Sequence, residues 1–326
     1  KSERDAVAWL QRVLSAESAD ALHVTALWGV ECDRTIQVDE RIQIVPIENL
    51  AESPQKKWLM TPAFRIPPES LGDLLVMTNF SNGHPKTAFT LRYAQAPVIA
   101  KGEPALPSQL ESLSQLSKDV RLSMTLCCET APTEALSWEE FIDPDMQRLS
   151  MGAMFRTTHE DIQPSARHGS SLLNAETAAG VILKFVSIKD PDIRKLRISV
   201  ERLNQALRRS NVGDMAVDAV TALDSIMEKE VSSYTMALRV SQLLHEEPDR
   251  REEAFAYSRA MLRIRNERIH NGITLESMDI LGKDTKSKDI VGRAIGMLRE
   301  GIRRIVIAQS IPNWTRFDLT GGSRWN

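Results

Sequence analysis

The residues best suited to chemistry in this chain lie in RNERIHNG, residues 265–272. Arg265 stands five positions before His270, with Asn266 beside the arginine. A histidine titrating near neutral pH can take a proton from a ribose 2′-hydroxyl or give one to a leaving 5′-oxygen. A guanidinium can stabilise a pentacoordinate phosphorus transition state through two directed hydrogen bonds. An amide such as Asn266 can orient the phosphate or fix the imidazole tautomer. Arg263 and Arg268 add positive charge around the same turn.

The spacing alone carries little weight, because the chain holds 28 arginines against six histidines. A similar pair recurs at Arg239 and His245 in RVSQLLH. The simplest reading of His245 is a cation at a helix C-terminus, where the macrodipole favours it. His270 also ends a helix, but Asn266 sits one turn before it and Gly272 opens space just after it. Positions five apart lie about 140° around a helix. Arg265 and His270 therefore share a cleft in one of two ways. Either the helix frays near Asn271, or two copies of the helix pack together.

The elements that must position these residues are read from periodicity. From about residue 172 apolar residues recur at helical spacing, giving expected helices over 174–189, 190–210, 211–230, 232–245, 251–270 and 287–310. Asn271-Gly272 is a good stop for the fifth. The earlier half reads as strand-rich after a first amphipathic helix. Strands are expected over 21–32, 35–47, 87–100 and 119–131, and a capped helix over 137–149 from Ser137 and Glu140. Prolines at 46, 54, 62, 67 and 68 exclude a long helix between them. Residues 150–170 lose periodicity and read as a loop at the domain boundary. The fold class is therefore α+β: a strand-rich domain over 1–165, then an all-α bundle over 170–326.

Composition sets the frame. The 326 residues suffice for two cores, and 42% are hydrophobic and 26% charged, ordinary for a globular chain. No run is long and apolar enough to span a membrane, and the first residues do not read as a signal peptide. Cys32, Cys127 and Cys128 make no disulfide framework or zinc spacing, which favours a reducing, cytoplasmic setting. Residues 1–192 carry 18 basic and 26 acidic side chains, a balance of −8, whereas the remainder carries 23 and 18, a balance of +5. The C-terminal half is the better partner for a polyanion.

Residues 213–272 resemble the HEPN superfamily, in its Apea-like branch. Four features carry the resemblance: the acidic-apolar pattern from Asp218 to Asp224, Tyr234 to Arg239 as Y-x-x-A-L-R, a short acidic turn, and the ending Arg265, Asn266, His270. Asn271 stands where many members have glycine directly after the histidine. The resemblance implies a metal-independent endoribonuclease without cofactor, leaving a 2′,3′-cyclic phosphate and a 5′-hydroxyl. It implies a homodimer with a composite site, acting on tRNA or other host or phage RNA as a toxin or abortive-infection effector in antiviral defence. Arg265 and His270 take the catalytic roles and Asn266 a supporting one; Arg263, Arg268 and Arg239 are candidates for contact with RNA. The N-terminal half is expected to sense a trigger, such as one derived from the phage. Two other readings stay open: a HEPN module that binds RNA, a nucleotide or a protein without catalysis, and a helical scaffold whose RNERIH is surface charge.

Overall fold

A computed structural model describes residues 2–60, 85–95, 107–147, 169–189, 191–228 and 231–322. The fold is α+β and divides into two compact units, one of residues 1–121 and 132–179, the other of 122–131 and 180–326. The expected boundary loop at 150–170 and the prolines at 62, 67 and 68 lie outside the described residues, apart from 169–170.

The first unit opens with α1 (Glu3–Leu14), capped by Ser2 and Asp5 in a reciprocal capping box. The strands β1 (Ala19–Trp28), β2 (Val30–Glu31), β3 (Ile36–Gln37) and β4 (Ile42–Pro46) follow, then α2 (Pro54–Met60) and β5 (Thr87–Gln95). The β3–β4 turn is fixed by Asp39, whose carboxylate accepts from the backbone N–H groups of Arg41 and Ile42. Next come α3 (Pro107–Met124), β6 (Thr133–Phe141), α4 (Pro144–Gln147), β7 (Ser171–Leu172) and α5 (Ala175–Ser187), of which the end of α3 from Leu122 and α5 from Gly180 count with the second unit. Five strands form an antiparallel sheet in the order β3-β4-β5-β1-β6, and β2 pairs with β7 in parallel.

Alternation gives the sheet two apolar faces. Val24, Ala26, Val45, Ala88, Leu136 and Trp138 pack with Leu59 of α2 on one. Ala21 and Phe141 pack with Val13 of α1 and Met146 of α4 on the other.

Two expected elements are corrected. Residues 119–131 are the end of α3 and the turn after it, not a strand. Val120, Leu122 and Met124 alternate by two, but Leu113, Leu116, Val120 and Met124 also form a helical stripe. Every residue from Leu122 to Cys128 is buried, so periodicity cannot separate the two patterns. Cys127 and Cys128 accordingly sit in a buried turn, and burial pushes the Cys127 thiol up to about 12. Residues 137–141 are strand and not the start of a capped helix. Pairing of Ser137–Phe141 with Ala21–Thr25 of β1 overrides the local capping signal.

The second unit is helical: α6 (Asp192–Arg208), α7 (Val212–Ile226), α8 (Ser233–Leu244), α9 (Pro248–Asn271), α10 (Ser287–Ala308) and α11 (Trp314–Leu319). The apolar stripe of α6 is buried through Ile193, Leu196, Val200 and Leu203. Asn211, Ser232 and Asn313 cap α7, α8 and α11 through their side chains. A short hairpin, β8 (Ser277–Ile280) with β9 (Lys283–Lys286), joins α9 to α10 and was not expected from the sequence. The long α9 packs against α7, α8 and α10, and so becomes the axis of this unit.

Candidate functional site

The site is carried by α9. Proline at its first position and Asp249 in its first turn favour initiation. Gly272, at φ 68°, ends it in the left-handed conformation, and the N–H groups of Gly272 and Ile273 both return to the carbonyl of Glu267. Ala254, Ser258, Met261, Leu262 and Ile264 are buried against the helices around them. Toward its C-terminal end Arg263, Ile269 and His270 are exposed, and Arg265, Asn266 and Arg268 half-buried.

The helix is unbroken to Asn271, so the 140° offset between Arg265 and His270 holds. Helical side chains lean toward the N-terminus, which carries the Arg265 guanidinium further from His270. Of the two routes to a shared cleft, fraying is not the one taken. Arg265 donates from Nη1 to Asn266 Oδ1 at 2.9 Å. Asn266 thus orients the guanidinium, a contact beside the two roles expected of it, at the phosphate or at the imidazole tautomer. Near Arg265, Asp224 of α7 has its carboxyl pushed up by burial, an effect partly offset by the Arg265 charge. Asp224 belongs to the acidic pattern read in the sequence, but its place beside Arg265 depends on helix packing that spacing does not reveal.

Arg268, a candidate for contact with RNA, is engaged within the fold. Its Nε donates to Asp214 of α7 at 2.9 Å, and its Nη1 donates to the Gly272 carbonyl at 3.2 Å. It clamps the last turn of α9 to the first turn of α7. The clamp also explains Gly213, where an added Cβ would come within 2.7 Å of Thr274 Oγ1 and 2.8 Å of Arg268 Cδ.

Of the arginines expected to contact RNA, Arg239 is corrected by its burial. It is 4% exposed, makes a two-pronged pair with Asp318 and lies over the Trp314 ring at 5.1 Å. Burial removes it from any contact with RNA. His245 is not the cation of its helix end. Burial, and then Arg304 and Arg250, hold its pKa below the ordinary histidine value of 6.5. The cations there are Arg304, which donates to the carbonyls of Leu243 and Leu244, and Arg251, which donates to that of His245.

The lowered His245 pKa has a checkable consequence. In the window between its folded value and 6.5 the unfolded chain binds more protons, so this group's stabilisation is full above 6.5 and is lost as pH falls through the folded value. His245→Gln is expected to flatten the loss of stability between pH 7.5 and 5.5, measured by urea unfolding. A slope equal to the parent's would contradict it.

Among the described residues no group of three or more His, Cys, Asp or Glu side chains is placed to hold a metal ion, and no helix is long and apolar enough to cross a membrane. Comparison with protein-family models, with curated proteins and with solved structures finds no match for this chain.

Proposed function

We propose that the helical unit is a metal-independent endoribonuclease that works as a homodimer, its site completed by the same turn of a second copy. One observation carries the reading: α9 stays helical through Asn271, so it presents an oriented Arg265 and an exposed His270 on different sides of one rigid end. A single chain offers the two groups apart, and a second α9 end can supply the complement of each. The 2′-oxygen attacks phosphorus while one imidazole takes its proton. The bond to the 5′-oxygen breaks, and that oxygen takes a proton from water, to which the new imidazolium returns its own. Arg265 balances the charge on the phosphoryl oxygens. Proton transfer and charge stabilisation account for the whole step. The role that follows is a toxin-like effector in antiviral defence, with a trigger acting through the strand-rich unit.

The test is to incubate the protein with total RNA or tRNA in EDTA and analyse the ends. Fragments with 2′,3′-cyclic phosphate and 5′-hydroxyl ends, absent with His270→Ala, are expected. Intact RNA that is nevertheless bound would replace this reading with a non-catalytic binding module.

A further inference from the structure

Arg259, Arg263, Asn266 and His270 are spaced by four, three and four residues, which places them on one face of α9. Arg259, Arg263 and His270 are exposed. Among the described residues neither arginine forms an ion pair, in contrast to Arg268 and Arg239. This face therefore presents two guanidinium groups outside any ion pair among the described residues, leading up to the histidine.

An aromatic ring lies at the far end of the row. Tyr234, in the first turn of α8, stands edge-on to Phe255 of α9 with ring centroids 5.1 Å apart. The Arg259 guanidinium lies 6.0 Å from its ring centroid. Tyr234 is nonetheless 57% exposed. Its place is fixed by the Ser232 cap, by Phe255 and by Arg259, while much of the ring remains open to solvent. A fixed, open aromatic beside a row of cations is the arrangement that binds single-stranded nucleic acid: phosphates follow the cations and bases stack on the ring.

We propose that this face is a platform for single-stranded RNA. Arg259 and Arg263 hold successive phosphates, an unstacked base lies on Tyr234, and the strand runs along α9 to His270. Arg259 and His270 are eleven residues apart, about 16 Å along the helix, a span that takes a short single-stranded segment. A duplex hides its base faces from such a ring, so the substrate class is an unpaired stretch such as a loop or an overhang. The proposal rests on the ribonuclease reading for its direction toward His270, but the binding itself can be tested apart from cleavage.

The experiment uses the full chain carrying His270→Ala and a fluorescein-labelled eight-nucleotide single-stranded RNA, followed by anisotropy across a salt series. Adding Tyr234→Ala is expected to weaken binding roughly tenfold or more, whereas Tyr234→Phe keeps it. Arg259→Gln and Arg263→Gln are each expected to reduce the slope of log affinity against log salt by about 0.7. A duplex of the same length should be indifferent to Tyr234. Equal affinity of the Tyr234→Ala and parent proteins, an unchanged salt slope, or no binding of the oligonucleotide overturns the proposal. RNA left uncut by the native chain, with Tyr234-dependent binding intact, overturns the ribonuclease reading alone. Cleavage that needs His270 but not Tyr234 or Arg259 overturns the platform alone.

Discussion

Mixing Arg265→Ala protein with His270→Ala protein is expected to restore RNA cleavage that neither has alone. Removing a general acid–base group costs about 10²- to 10⁴-fold, and removing a group that stabilises the developing charge costs about 10²- to 10³-fold. Each homodimer should therefore fall near background. The mixture separates two geometries. If Arg265 of one copy works with His270 of the other, a heterodimer holds one site with both lesions and one site with neither. With free exchange, half the dimers are mixed, and recovery approaches about a quarter of the parent rate. If both groups of a site come from one chain, every site in the heterodimer carries a lesion and nothing is recovered. Both substitutions fall on half-buried or exposed positions, so folded protein is expected in each case, with circular dichroism as the check. Full activity in either single variant would end the catalytic assignment of that residue.

Asp318→Ala is expected to be the most destabilising of the polar substitutions considered. Arg239 is buried, with its side chain 5% exposed, and Asp318 accepts from both Nε and Nη2. The Arg239 Nη1 has no hydrogen-bond partner among the described residues. The other carboxylate, Glu228, is 50% exposed and adds little. Truncating Asp318 leaves a buried cation supported mainly by the Trp314 ring. Breaking a buried pair from one side costs about 3–5 kcal/mol. Asp318 is itself 34% exposed, which places the expected loss near the lower bound, at about 3 kcal/mol. The reading is a lower urea midpoint with an unchanged m-value. A loss under about 1 kcal/mol would mean that Trp314, not the ion pair, holds α11 in place.

These two experiments probe residues of one type that spacing alone does not sort. Arg239 and Arg265 each precede a histidine near a helix end, and each had a claim on RNA. The difference lies in partners distant along the chain: Asp318 for Arg239, Asp224 and the neighbouring Asn266 for Arg265. The helices of the second half were legible because their apolar residues face one side, as in α6. The last turn of α3 was not, because it is buried all round and loses its period. Nor was β6, because pairing with a strand more than a hundred residues earlier outweighs a capping pattern four residues long. RNERIHNG was legible as residue types and as a resemblance. The clamp of Arg268 on Asp214 and the ring of Tyr234 were not, since both come from other helices.

The continuity of α9 makes it a lever. It is one rod of about 36 Å, from Pro248 to Asn271. Near its first turn Arg251 grips the end of α8 and the carbonyl of Gly321 just after α11. At its far end it carries His270. A rigid rod transmits a tilt without absorbing it, so a small displacement where Arg251 holds on reappears, enlarged by length, at the imidazole.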